Sequence, residues 1–347
     1  MASFTDILTQ ISEGVDLDEH QASYALNEIL HGSVAPSQIA AFLFGMNCKG
    51  ETIEELTGFV KAMRKMAVNV DVNVSNAVDM CGTGGDKSGT FNISTAAMFV
   101  VAGAGVPVLK HGNAGVSSKS GSYDVLIQLG AEPDLMKEDV ETTFKETGMA
   151  FMFAPRFHPA MAHVMPVRKE LAMRTFFNIM GPMLNPANVK RQVVGAFNRS
   201  TAKTIIQILH RLGSEFVYTL HADDGLDELS TSSLTRVYQL NGSKKEVEST
   251  VDAEIFGFAR SSKPDLAGGN SEENAVIIRS VLENNSTQAQ KEIVLLNAAF
   301  AIHASGLCYD IHEALLQAEE SLESEEALQA LNRFSECTKD LKAQSRH

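Results

Sequence analysis

At 347 residues, with 44% apolar and 21% charged side chains, the chain has the composition of a globular protein with room for one large or two modest domains. A net charge of −14 argues against a general nucleic-acid binder, although a local positive field can still gather an anion. No apolar run reaches the roughly 18 residues of a membrane-spanning helix, and the first residues lack a basic segment followed by an apolar one. The cysteines, Cys48, Cys81, Cys308 and Cys337, form no CxxC pair, so disulfides and zinc are not expected. A cytoplasmic protein with no membrane or nucleic-acid partner follows as the expectation.

The first seventy or so residues read as short helices only. Ser3 with Asp6 makes a capping pair ahead of Ile7, Leu8 and Ile11. Ser37 is expected to cap a helix over residues 38–47, with Gly50 beyond its end. Thr52 and Glu55 form a capping box, followed by Leu56, Phe59, Val60 and Met63 at helical spacing. We expect residues 1–73 to form a small helical domain, with a contribution from the 160–190 connection.

From Asn76 strands alternate with helices. Strands are expected at 77–80, 106–109, 149–153, 192–197 and 216–220, and helices at 95–103, 123–129, 140–147, 202–212 and 273–282. Residues 293–304 are apolar nearly all round and predict a buried helix, and the tail beyond Ile311 is amphipathic. The fold class is α/β: a small N-terminal helical domain plus a larger α/β domain, residues 74–347, with a mostly parallel central sheet. Ligands of such sheets bind at the carboxyl ends of the strands.

Two loops in this region share a design. Asp79-Met80-Cys81-Gly82-Thr83-Gly84-Gly85-Asp86 leads to Thr90-Phe91-Asn92-Ile93-Ser94-Thr95, and Lys110-His111-Gly112-Asn113 leads through Ser117-Ser118-Lys119-Ser120-Gly121-Ser122. Glycines at Gly82, Gly84 and Gly85 permit left-handed turns and close backbone approach, and consecutive N–H groups at a helix start cradle anions. Lys110 and Lys119 add charge. Paired loops of this kind suit a substrate with more than one phosphate, yet each alone would also serve as an ordinary strand-to-helix connection. Neither a Walker A loop nor a Rossmann fingerprint is present here.

A third cluster, Asp223-Asp224-Gly225-Leu226-Asp227-Glu228, follows an expected strand. Carboxylates at a strand end suit magnesium, which takes one or two of them together with substrate phosphates; a plain acidic turn has the same composition. Between the loops, Gly181-Pro182 and Asn185-Pro186 break the chain into an irregular connection carrying Arg168 and Arg174. His158 and His163 have no partner at metal-ligand spacing and read as structural or substrate-lining.

Taken together, Gly82 to Asp86, Asn92 to Thr95, Lys110 to Asn113, Val116 to Gly121, Arg174-Thr175, Gly181-Pro182, Asn185-Pro186, Asp227-Glu228 and Glu273-Asn274 resemble the anthranilate phosphoribosyltransferase family, in its order and over nearly the whole chain. The resemblance implies a homodimeric, magnesium-dependent enzyme of tryptophan synthesis that joins anthranilate to 5-phosphoribosyl 1-pyrophosphate (PRPP). It implies PRPP contacts at Gly82, Gly85, Asp86, Thr90, Asn92, Ile93, Ser94, Thr95, Lys110, His111, Gly112, Asn113, Ala114, Gly115, Val116, Ser117, Ser118 and Ser122. Gly82, Asn113 and Arg168 would meet anthranilate, with Arg168 at its carboxylate, and Ser94, Asp227 and Glu228 would serve the metal. No covalent nucleophile is implied. The chain departs from the family at Ala114, where an arginine is common, and at Ala172, where a glycine is usual. A pyrimidine nucleoside phosphorylase has similar glycine loops, but would not show His111-Gly112-Asn113 or need Asp227-Glu228.

Overall fold

The structure is a computed structural model and describes residues 3–86, 88–115, 119–242 and 245–344. Four helices open the chain: α1 (Phe4–Ser12), α2 (Glu19–Leu30), α3 (Pro36–Lys49) and α4 (Ile53–Met66). Capping boxes start three of them, at Ser3–Asp6, Asp18–Gln21 and Thr52–Glu55. Ser37 is not a cap. Pro36, whose fixed φ and missing N–H suit the first helical position, starts α3 two residues earlier, after Ala35.

The larger part alternates β1 (Val78–Gly82), α5 (Ile93–Gly103), β2 (Val108–Gly112), α6 (Ser122–Gln128), α7 (Lys137–Thr147) and β3 (Met149–Phe153). A connection of short helices follows, α8 (Ala154–Phe157), α9 (Met165–Leu171) and α10 (Phe177–Met180). It leads into β4 (Arg191–Gly195), α11 (Arg199–Arg211) and β5 (Phe216–Ala222). The strands β6 (Thr235–Asn241) and β7 (Val247–Val251) come next, and α12 (Ser271–Leu282), α13 (Gln288–Ser305), α14 (Ile311–Glu323) and α15 (Glu326–Gln344) close the chain.

The seven strands form one sheet in the order β3-β2-β1-β4-β5-β6-β7. The first five are parallel, while β6 and β7 pair antiparallel. The chain runs outward from β1 through β2 to β3, then returns to the other side of β1 as β4. The crevice between the carboxyl ends of β1 and β4 is therefore the topological switch point, where open α/β sheets bind ligands.

Both faces of the sheet are covered. On one, Val78, Met80, Phe151, Val193 and Tyr218 pack with α5 and α13, whose residues are buried on nearly all sides. On the other, Val194 and Val217 join Ile205 and Leu209 of α11 and the helical bundle in one apolar cluster. The connection enters that cluster through Phe176, whose ring stacks at 4.4 Å on Phe59 of α4 and meets Phe42 edge-on.

Candidate active site

The crevice is built from strand ends. Gly82 and Gly195, the last residues of β1 and β4, are register partners. A side chain on either would run into Asp227: a Cβ on Gly195 would fall on its carbonyl, and one on Gly82 on its carboxylate. Glycine at both positions lets the turn after β5 lie across the strand ends. Asp227 Oδ2 accepts from the Gly84 N–H at 2.9 Å. That bond fixes a turn in which Gly84 and Gly85 have φ of 65° and 74°. Gly82 itself is not left-handed; closeness is what requires it.

Asn297, buried on α13, holds the far end of the acidic turn through the Leu229 N–H (3.0 Å) and carbonyl (2.9 Å). Glu228 Oε1 thereby accepts from the Ser94 N–H at 3.2 Å, in the first turn of α5. Burial pushes Glu228 up to about 7, against the pull of Lys110 and Ser94. Burial also raises Asp227 far above the carboxylate range, with Asp86 and Glu228 adding repulsion. Lys110 reaches from β2 toward Glu228, bonding the Met80 carbonyl and standing 3.4 Å from Ser94 Oγ.

The raised proton affinity of Asp227 and Glu228, with Asp86 crowded against them, suits a hard divalent cation, which would relieve the repulsion. Among the described residues no group of His, Cys, Asp and Glu encloses a metal by itself.

The first-loop residues divide by role. Ile93 and Thr95 are buried. The Asn92 side chain is committed to the protein, meeting Ser120 (3.1 Å from its hydroxyl, 3.2 Å to its carbonyl) and the amide of Asn274 at 2.9 Å. Thr90 bridges to Ala267, so the 263–268 segment straps the loop. In the second loop the Asn113 carbonyl accepts from the Tyr123 N–H at 3.2 Å and Ser122 Oγ at 3.3 Å. The Ala114 N–H goes to Asn113 Oδ1 and the Gly115 N–H to Asp124 Oδ2, both already paired. Gly112 packs against Phe151 and Ser122. Val116, Ser117 and Ser118 lie outside the described residues.

His111 and His158 meet edge to face at 5.2 Å beneath the connection. Their other contacts are carbonyls, Gly181 at 3.3 Å and Leu184 at 3.0 Å. Burial lowers His111 to about 3, with His158 adding to the effect, and burial lowers His158 to about 4. Both are neutral at ordinary pH. Among the described residues, His111 Nε2 and His158 Nδ1 have no hydrogen-bond partner.

Arg168, on α9, is half-buried. Its guanidinium lies 5.1 Å over the Phe177 ring and its pKa is lowered by burial, with no carboxylate paired to it among the described residues.

Comparison with known proteins decides the lineage. The glycosyl transferase family a/b domain matches residues 74–328, and its helical bundle domain matches residues 5–67. The anthranilate phosphoribosyltransferase of Salinibacter ruber is 47% identical over 341 residues, 97% of this chain and 99% of its own. That of Rhodopseudomonas palustris is 44% identical, covering 96% and 98%. The chain belongs to the anthranilate phosphoribosyltransferase family. Among solved structures, the family member from Thermus thermophilus superposes with a TM-score of 0.90 at 34% identity, covering 96% of this chain and 99% of that one. The member from Saccharomyces cerevisiae, solved in complex with PRPP and Mg, gives 0.89 at 25% identity, covering 97% and 98%.

Sequence reading missed the supports beneath these family motifs. Asp79 is fully buried and accepts from the His111 N–H at 3.2 Å and Asn185 Nδ2 at 2.9 Å. Burial raises its pKa while Lys110 opposes the rise. Asn185 also donates to the Leu109 carbonyl at 2.8 Å, tying the connection to β2. An aspartate and an amide within apolar strand and turn residues were the available signal.

Proposed function

We propose that this chain transfers the phosphoribosyl group of PRPP to the amine of anthranilate, giving N-(5-phosphoribosyl)anthranilate and pyrophosphate, the second step of tryptophan biosynthesis from chorismate. The observation that carries the reading is the crowding of Asp86, Asp227 and Glu228 at the strand switch point, facing the glycine turn and Lys110. The bond from the anomeric carbon to pyrophosphate breaks, a bond to the amine nitrogen forms and that nitrogen releases one proton, so charge builds on the leaving group. Asp227, Glu228 and Ser94 would hold magnesium, which would supply charge neutralisation for the pyrophosphate.

The chain's own groups supply the rest. The Gly82–Asp86 turn and Lys110 receive PRPP, together with Thr90, the Asn92–Thr95 segment and the His111–Ser118 loop as far as Ser122. The half-buried guanidinium of Arg168 takes the anthranilate carboxylate, near Gly82 and Asn113. An arylamine is already nucleophilic, so holding it against the ribosyl carbon replaces covalent catalysis. The enzyme works as a homodimer in the cytoplasm.

The test follows anthranilate fluorescence, which is consumed only with PRPP and magnesium together. Asp227→Asn with Glu228→Gln should lower turnover at least about a hundredfold, in line with loss of electrostatic stabilisation. Unchanged magnesium dependence in the double variant refutes the metal assignment, and no consumption by the native chain refutes the reaction.

A further inference from the structure

We propose that Arg174 is a positioning residue for the donor, setting the Gly84–Gly85 turn from the acceptor side of the site. The inference rests on the PRPP reading above. Arg174 belongs to the connection, three residues beyond the end of the helix that carries Arg168. Its base is rigid: Phe176 is buried and stacked on Phe59, and the Thr175 N–H donates to Asn178 Oδ1 at 2.9 Å. From there the guanidinium crosses to the end of β1, and Nη2 donates to the Gly85 carbonyl at 2.6 Å. It lies 4.4 Å over the ring of Phe197, just past β4. Phe197 is itself fixed, since its N–H donates to Thr83 Oγ1 at 3.1 Å and the Thr83 N–H donates to the Gly195 carbonyl at 2.9 Å.

The glycine turn is therefore held from two sides. Asp227 takes the Gly84 N–H and Arg174 takes the Gly85 carbonyl. Two successive left-handed glycines have much conformational freedom to lose, so an outside anchor decides the turn's shape. The peptide is planar and trans, so holding the Gly85 carbonyl toward Arg174 aims the Asp86 N–H away from it. Amides fixed before the pyrophosphate arrives need no reordering when it binds. The Phe197 ring gives the guanidinium a flat surface to rest on while it makes that bond.

The test measures PRPP affinity by calorimetry with magnesium, steady-state constants for both substrates, and melting temperature. It compares the native chain, Arg174→Ala, Phe197→Leu and the double variant. Arg174→Ala should weaken PRPP binding roughly ten- to a hundredfold, raise the PRPP KM in step, and leave the anthranilate KM within about twofold. Phe197→Leu should weaken PRPP in the same direction, and the double variant should lose less than the product of the single losses. Arg174→Lys keeps a donor within reach of Gly85 and should recover part of the affinity, which covers the case of an unstable alanine variant. Native PRPP affinity in Arg174→Ala, equal losses for both substrates, or strictly multiplicative losses in the double variant would each overturn the proposal. Failure of the native chain to bind PRPP would instead remove the function reading.

Discussion

Arg168 holds its guanidinium half inside the protein, over Phe177, with no carboxylate beside it among the described residues. A desolvated cation without a counter-ion is costly unless a ligand supplies one. Anthranilate carries a carboxylate of the right geometry for a two-bond contact. Arg168→Ala should therefore raise the anthranilate KM roughly ten- to a hundredfold, with the PRPP KM nearly unchanged; steady-state kinetics with each substrate varied decides it, and parallel changes would speak against the assignment. Residues of this kind differ in how readable they are. Asp227 and Glu228 stand side by side after a strand, so the sequence displays them. Asp79 with Asn185 and Gly85 with Arg174 are joined across 106 and 89 residues, and only the folded chain brings them together.

At the scale of elements, the caps at Ser3 and Thr52 and the five parallel strands were visible in the sequence, while α2 with its Asp18 cap was not, and β3 falls at Met149–Phe153 as expected. The hairpin of β6 and β7 was not. Four of the five β7 residues are exposed, so no buried apolar face marks it, and its pairing to β6 rests on backbone bonds. The connection was read as irregular, and it is, but its ends are determined by local backbone. Ala172 closes α9 with φ 48° and ψ 30°, a left-handed position usually filled by glycine. The Cβ strain there is about 1 kcal/mol, partly offset by glycine's larger loss of freedom. Ala172→Gly should thus stabilise the fold by roughly 0.5 kcal/mol, seen as a higher denaturant midpoint at constant slope. A lower midpoint would show that the alanine is unstrained.

At the scale of the molecule, the α/β class and the placement of ligand loops at strand ends were legible, because alternating periodicity dictates a parallel sheet and its topology dictates the crevice. How tightly the bundle joins the sheet was not legible. One apolar cluster runs from Ile7, Leu26 and Phe59 of the bundle through Phe176 and Met180 to Ile205, Val194 and Val217. Unfolding the bundle alone would expose α11 and a face of the sheet, so we expect one calorimetric transition with equal calorimetric and van't Hoff enthalpies. The His111–His158 pair beneath the connection should make that transition acid-sensitive. Each imidazole is depressed in the folded chain, to about 3 and about 4, against about 6.5 when unfolded. The unfolded state then binds more protons below pH 6.5, so the stability is fully present above that pH and is lost as the pH falls toward about 4 for His158 and about 3 for His111. For His158 the loss at pH 5 is roughly 2 kcal/mol. The melting temperature at fixed protein concentration should therefore fall between pH 7 and pH 5, and His158→Asn should flatten that slope whatever it does to stability at pH 7. Two separate transitions would contradict the shared core, and an unaltered slope in His158→Asn would show that other groups govern the acid response.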